Sequence, residues 1–341
     1  FRRVLFRSSL RELALRGVPS VAQVAVVEGR FTSAGDELPC AMVTRFLPYS
    51  LPYRVILSGV VTPHEIMNMA NALAYLLVRL HLLGFWWGDC SLSNALFRRD
   101  AEGFAAYLVD AETGEFQKKL SDGQREHDLE IARFNVAAEL EDLRLSGVLV
   151  TGMDPVRASD SVISRYRRIW KTLSEPQLLP SGDRHAVEKA MRSLQDLGFA
   201  VEEVELEVQG DTGTLRFTPK LVAPNYHSLR LRELMGLDVE ESQAKRILAS
   251  FDRFRAREIS RTPEKREAAA RWLTEVYRKV LASVPTELRG RIEDAQLFHE
   301  VLEHRWYLGE KAGHDVGLEA ATAEYITTIL PHRLDSGAAT V

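Results

Sequence analysis

Three side chains in the first third of the sequence have the types and spacing of an oxygen-donor site. Asp89 and Asn94 lie five residues apart in the stretch GFWWGDCSLSNALF (Gly84 to Phe97), which is otherwise rich in apolar residues, and Asp110 follows sixteen residues after Asn94. Phosphoryl transfer uses such groups: a carboxylate beside the acceptor hydroxyl, and an amide oxygen with a second carboxylate to hold Mg2+ against nucleotide phosphates. A simpler reading makes Asp89 and Asn94 turn residues between two strands, with Ser91 and Ser93 as turn-compatible neighbours. That reading leaves Asp110 and Asp128 without a role.

The elements around these residues are legible from periodicity. Thr62-Pro63-His64-Glu65 has an N-cap, a proline at the first helical position and a glutamate placed for a capping box. Ile66, Met69, Ala70, Leu73, Leu76, Leu77, Leu80 and Leu83 then recur at helical spacing until Gly84. Upstream, residues 9–16 read as the end of a helix closed by Gly17, and Val21–Val27 and Cys40–Phe46 as strands. Downstream, Ala105–Val109 reads as a short buried strand entering Asp110-Ala111-Glu112. A helix is expected from about Arg125 to Leu145, with Leu129, Ala132, Val136, Leu140 and Leu143 on one face.

With these elements in place, the chain resembles the protein-kinase-like superfamily, on its lipopolysaccharide (Kdo) kinase and aminoglycoside phosphotransferase side. Leu80-His81-Leu82-Leu83-Gly84-Phe85-Trp86-Trp87-Gly88-Asp89 is similar to the L-H-x-x-G-hydrophobic-x-H-G-D element of those families, and Leu108-Val109-Asp110-Ala111-Glu112 to their metal-binding I-D-F-[DE]. The resemblance implies Asp89 as catalytic base, Asn94 and Asp110 as Mg2+ ligands, and Glu112 as a supporting acid. It implies that Asp128 braces the catalytic loop with His81, and that Val43, Arg45, Phe46 and Leu47 run from the last N-lobe strand into a hinge for the adenine of ATP. Over nearly all of residues 9–330 the chain is similar to a bacterial family that joins a lipopolysaccharide-kinase-like segment to a C-terminal domain of unknown function. The fold class so implied is α+β: a truncated kinase-like lobe over 9–150, with partial N-lobe strands and a helical C-lobe, then a mainly helical domain over 151–330 with a small β-hairpin.

The sequence departs from that pattern in three places. Trp87 stands where relatives often carry histidine, Asp110-Ala111-Glu112 replaces D-F-G, and the first lysine of the chain is Lys118. A kinase positions its phosphates with a strand-borne lysine paired to a helical glutamate, and Glu12 is the one candidate for that glutamate. The opening octapeptide FRRVLFRS has no initiating methionine and is what a sequencing adapter would encode, so residues 1–8 are expected to be foreign to the fold, with the lysine and a glycine-rich loop upstream of them. The expected activity is an ATP- and Mg2+-dependent phosphotransfer to a hydroxyl of a sugar, lipid, small molecule or protein. The alternative is a pseudokinase-type module that binds a nucleotide or a partner without transfer.

Composition narrows the remaining classes. At 341 residues, with 45% apolar and 27% charged side chains, two soluble domains are expected, and a net charge of −4 gives no global signature of nucleic-acid binding. No apolar run approaches the roughly 20 residues of a bilayer span, and two cysteines, Cys40 and Cys90, suit a reducing cytoplasm. Cys90 is expected to be a buried, inert thiol. Beyond residue 151, helices are expected at 156–174 and 183–197 and a hairpin at 200–208 and 214–218, its alternation slipping near Glu202-Glu203. The rest is helical to about 330, before a frayed tail over 331–341. Residues 242–279 hold eleven Lys or Arg against five Asp or Glu, either the wet face of amphipathic helices or a patch for an anionic ligand around Arg253, Arg255 and Arg257. His299 and His304, about 140° apart on a helix, do not share the face a zinc site needs. The i, i+4 pairs there are His299 with Glu303 and Glu300 with His304.

Overall fold

The computed structural model describes residues 11–59, 62–149, 154–180, 183–209, 214–258, 264–333 and 335–336. The expectations for residues 1–8 and for 337–341 lie outside the described residues. The α+β class expected from the sequence is the class observed: among the described residues, helices with four small sheets. By packing the chain divides into one unit of Phe1–Arg98 and Gly103–Arg168 and a second of Arg99–Glu102 and Ile169–Val341. The packing division falls within a helix, Pro155–Ser174, whose first part is tied to the first unit by Tyr166 against His81 and by ion pairs of Asp160 with Arg133 and Arg167 with Glu126.

In the first unit, β1 (Gln23–Val27) pairs antiparallel with β2 (Ala41–Thr44). A second sheet has the order β3 (Ser50–Pro52), β5 (Ala95–Asp100), β6 (Gly103–Leu108). A third pairs β4 (Phe85–Trp86) with β7 (Glu115–Phe116). β3 and β5 were not anticipated. β3 has three residues, one a proline, and β5 carries Arg98 and Arg99 after only three apolar positions, so neither shows a strand period. A short helix, α1 (Tyr53–Leu57), leads towards α2 (Pro63–Leu82).

The start of α2 is held by the expected capping box. Glu65 N–H donates to Thr62 Oγ1 at 3.3 Å and Thr62 N–H to Glu65 Oε2 at 3.1 Å, with Pro63 at the first helical position. Its end requires Gly84, whose φ is +75° and whose missing Cβ would lie 2.2 Å from the Gln117 carbonyl oxygen. A side chain there would strain the backbone and strike β7's connection, so the chain turns directly into β4. α3 (Asp122–Leu145) opens with a second capping box, Ser121 with Gln124, and buries Asp128, Leu129, Ala132, Val136, Leu140 and Leu143.

The second unit continues α4 (Pro155–Ser174) into β8 (Gln177–Pro180), α5 (Arg184–Asp196) and the hairpin of β9 (Phe199–Gln209) with β10 (Thr214–Pro224). The sheet order is β8-β10-β9, so the expected hairpin gains a third strand. Its register shifts between Pro219 and Val222, opposite the Glu202-Glu203 step where the alternation slips in sequence. Helices α6 (Tyr226–Met235), α7 (Glu241–Glu258), α8 (Lys265–Trp272), α9 (Arg278–Ala282), α10 (Asp294–Ala312) and α11 (Leu318–Thr328) follow. A π-helical segment, Leu273–Tyr277, joins α8 to α9. Phe251, Trp272, Tyr277, Phe298 and Tyr325 centre one core, with Trp272 edge-on to Phe298 at 5.5 Å.

Two expectations are corrected here. The i, i+4 pair of Glu300 with His304 does not form: Glu300 accepts Tyr325 Oη–H at 2.7 Å and Arg333 Nε–H at 2.8 Å, while His304 pairs with Glu324. His299 does approach Glu303, at 4.0 Å. The tail is not frayed at its start, since Leu330–His332 form a 3-10 turn, Arg333 reaches the buried Glu300, and Ser336 N–H donates to the Arg291 carbonyl at 3.0 Å.

Candidate functional site

The loop from Trp86 to Asn94 is fixed by one face of α3. Asp128, Asn135 and Glu139 stand at i, i+7 and i+11, within about 40° of one another around the helix axis, and each holds a different part of the loop. Asp128, fully buried, accepts the backbone N–H groups of Trp87 and Gly88, both at 2.8 Å. Asn135 Nδ2 donates to the Cys90 carbonyl at 3.1 Å and approaches Asp89 Oδ1 at 3.4 Å. Glu139 accepts Leu92 N–H at 2.8 Å, Ser93 N–H at 2.9 Å and the Ser93 hydroxyl. A loop with no secondary structure of its own thus has its inward-pointing amides satisfied by carboxylates and an amide on one rigid element.

His81 completes the brace. Its Nε2 lies 3.0 Å from Asp128 Oδ2 and its Nδ1 2.8 Å from Tyr166 Oη. The carboxylate requires a donor at Nε2, so Nδ1 accepts the Tyr166 hydroxyl and the ring is neutral. Burial lowers the His81 pKa more than Asp128 raises it, which keeps that state, and burial raises the Tyr166 pKa, which keeps the phenol protonated as donor.

The three predicted oxygen donors are stitched together through this frame. Asn94 Nδ2 donates to Asp89 Oδ2 at 2.9 Å and to the Asp89 carbonyl at 3.1 Å. The Asn94 carbonyl accepts Val109 N–H at 3.0 Å, so the backbone of Asn94 lies beside the residue preceding Asp110. Trp87 Nε1–H donates to the Asp110 carbonyl at 3.1 Å, and Thr113 Oγ1–H to the Trp87 carbonyl at 2.8 Å. Asp110 Oδ1 accepts Glu112 N–H at 2.8 Å, an Asx turn that leaves Oδ2 uncommitted. Asp89 and Glu112 are exposed, and Asn94 and Asp110 half-buried.

Other predicted residues lie elsewhere. Glu12 pairs with Arg16 one turn along, Nε to Oε1 at 2.8 Å, and Arg16 in turn covers the Phe116 ring at 4.7 Å. Val43 and Phe46 are exposed at 44% and 66%, Arg45 N–H donates to the Ala22 carbonyl at 2.7 Å, and the Leu47 carbonyl accepts Ser50 Oγ–H at 2.8 Å. Trp87 and Cys90 are fully buried, and burial pushes the Cys90 thiol well up, which makes it a poor nucleophile at neutral pH.

Sequence reasoning missed Asn135 and Glu139. The signal was there: polar residues at 128, 135 and 139 interrupt the face carrying Ala132, Val136 and Leu140, where a plain amphipathic helix has only apolar side chains.

Comparisons with known proteins bear on the two halves separately. A family model described as a domain of unknown function (DUF4032) matches residues 168–330. Among solved structures, the chain is similar to one titled "WaaP in complex with acyl carrier protein", at 16% identity and a TM-score of 0.35, over 57% of this chain and 75% of that one. No curated protein matches. Among the described residues no helix is long and apolar enough to cross a membrane.

Proposed function

We propose that the chain belongs to an ATP- and Mg2+-dependent phosphotransferase of the protein-kinase-like type, acting on a hydroxyl group. The observation that carries this reading is the convergence of Asp89, Asn94 and Asp110 on one loop frame held by Asp128. A pair of turn residues needs no such frame.

The donor set fits a hard cation. Asn94 presents its amide oxygen, because its nitrogen is engaged by Asp89, and among the described residues no hydrogen bond engages Asp110 Oδ2. Mg2+ bound by Asn94 and Asp110, with Glu112 in support, would offset charge on the nucleotide phosphates. Asp89 is placed to orient the acceptor hydroxyl and take its proton: it is solvent-accessible, and Asn94 and Asn135 set the direction of its two oxygens. The exposed apolar surfaces of Val43 and Phe46, beyond which the chain leaves its strand, supply the kind of face an adenine covers, with Arg45 and Leu47 setting the backbone there. The thiols Cys40 and Cys90, both free, suit a cytoplasmic setting.

One observation favours the second reading, nucleotide binding without transfer. Both Asp89 oxygens already accept from side-chain amides, of Asn94 and Asn135. Asp89→Asn separates the two. A phosphotransferase loses ATP turnover by about a hundredfold or more while its nucleotide affinity stays within about threefold. Turnover that is absent in the parent protein with saturable nucleotide binding retained would establish the binding module instead.

A further inference from the structure

The second unit holds a cavity of about 1230 Å3, lined chiefly by α7 and α10, with Trp272 and Val276 also in its lining. On α7, Arg246, Arg253 and Arg257 stand at i, i+7 and i+11 and share one face. On α10, His299, Glu303, Trp306 and Glu310 stand at i, i+4, i+7 and i+11 and share another. All seven line the cavity. It therefore has a cationic wall and an anionic wall, the second with an exposed indole, Trp306 at 66%, between its two carboxylates.

These walls do not neutralise each other. Arg246 is held by Glu102 and Arg305 by Asp315, and Glu303 lies 4.0 Å from His299. Among the described residues no ion pair joins Arg253 or Arg257 to Glu303 or Glu310. Four arginines and four carboxylates (Glu102, Glu303, Glu310 and Asp315) line the cavity, so its formal charge is zero but segregated by side. Two further features mark it as more than a gap between helices. Among the described residues the buried Nε1 of Trp272 and Nε2 of His299 have no hydrogen-bond partner, although Trp272 is fully buried and His299 only 4% exposed. Such orphaned donors and acceptors call for a partner. Val276 comes from the π-helical segment Leu273–Tyr277, a distortion that recurs at functional sites.

We infer that this cavity is a binding site for a zwitterionic phosphate ester, one carrying an ammonium group several bonds from its phosphate. Arg253 and Arg257, one helical turn apart, present two planar forks to the phosphate oxygens. Glu303, Trp306 and Glu310 take the ammonium group, by charge and by cation–π attraction. A purely anionic ligand would meet the carboxylate wall and a purely cationic one the arginines, whereas a ligand of net charge near zero with separated ends satisfies both. Arg255, which the sequence grouped with Arg253 and Arg257, points about 200° away from Arg253 around α7 and is not part of the lining. This site is independent of the phosphotransferase reading.

Phosphocholine and phosphoethanolamine are the probes, with inorganic phosphate and choline as their separate halves, titrated calorimetrically into the whole chain in EDTA. Each zwitterion is expected to bind at least tenfold more tightly than either half. Arg253→Ala with Arg257→Ala, and separately Glu303→Gln with Glu310→Gln, are each expected to weaken it at least tenfold, while Arg255→Ala and Asp110→Ala leave it unchanged. Co-sedimentation with phosphatidylcholine vesicles identifies a lipid headgroup as the source of the ligand; probe binding without sedimentation identifies a soluble one. Zwitterions that bind no better than inorganic phosphate or choline, or binding indifferent to both double substitutions, would overturn the inference. All four substituted side chains are exposed, so circular dichroism of the variants is expected to match the parent.

Discussion

α3 and α7 place polar side chains at the same intervals, i, i+7 and i+11, and use them in opposite ways. On α3, Asp128, Asn135 and Glu139 are each bound to the Asp89 loop, through three backbone amides and a carbonyl within 3.1 Å and a fourth amide donor from Ser93. On α7, Arg253 and Arg257 face carboxylates across a cavity and, among the described residues, form no ion pair with Glu303 or Glu310. The first arrangement fixes a geometry and leaves nothing over for a ligand except what the loop itself presents. The second leaves charge available and contributes little to the fold. Side chains that serve position and side chains that serve binding are thus distinguished here by whether their hydrogen bonds are closed.

The largest effect expected from this difference is at Asp128. Removing it in Asp128→Ala strips two buried amides and His81 of their acceptor and is expected to lower stability by roughly 3–5 kcal/mol in urea unfolding. A loss under about 1 kcal/mol would mean the loop stands without its brace. Next is Asp100, at the tip between β5 and β6, which accepts Ser242 N–H at 3.1 Å and Gln243 N–H at 2.8 Å at the start of α7. Burial raises its pKa to about 6, so its folded value lies above the unfolded 3.8. Its contribution is therefore fully present below about pH 4 and lost as pH rises through 6. Relative to Asp100→Asn, the parent is expected to gain roughly 2–3 kcal/mol between pH 7 and 4. His81 and His299, whose pKa values burial lowers, destabilise both proteins alike as pH falls below about 6.5, and so drop out of the difference. A pH-independent difference would show that folding leaves the Asp100 pKa unshifted.

Glu139→Ala is expected to cost about 1–2 kcal/mol, because two amides and a hydroxyl of the loop lose their acceptor at a partly exposed site. It is also expected to weaken nucleotide binding, which Arg255→Ala does not. The smallest effect is at α7: Arg253→Ala with Arg257→Ala is expected to change stability by less than about 0.5 kcal/mol, since no ion pair is broken. A clear destabilisation there would erase the contrast between the two helices.

Much of the candidate site's local arrangement was legible in the sequence because it depends on short-range pattern. Asp89, Asn94, Asp110, Asp128 and His81 lie in motifs whose spacing survives into the structure, and α2 was bounded by a capping box and a glycine that both behave as their chemistry dictates. What escaped was long-range. Asn135 and Glu139 read as ordinary polar positions until the loop they hold is placed beside them. β5 hid behind two arginines, and β8 became a strand only because β10 offered it an edge. Glu12 was assigned by elimination, and its pairing with Arg16 one turn along was not anticipated. In the second unit, composition flagged the basic helices, but only the helical geometry separates Arg253 and Arg257 from Arg255, and nothing in the local sequence shows that α10 sets an acidic wall opposite them.

The central claim, that Asn94 and Asp110 hold a metal-bound nucleotide beside Asp89, is tested most directly by calorimetric titration of ATP with and without Mg2+ into the parent chain and Asp110→Ala. The parent is expected to bind ATP at least tenfold more tightly with Mg2+ than in EDTA, and Asp110→Ala to lose that dependence while retaining its fold. Mg2+-dependent binding that is unchanged in Asp110→Ala would contradict the assignment, as would a parent chain that binds no ATP under either condition.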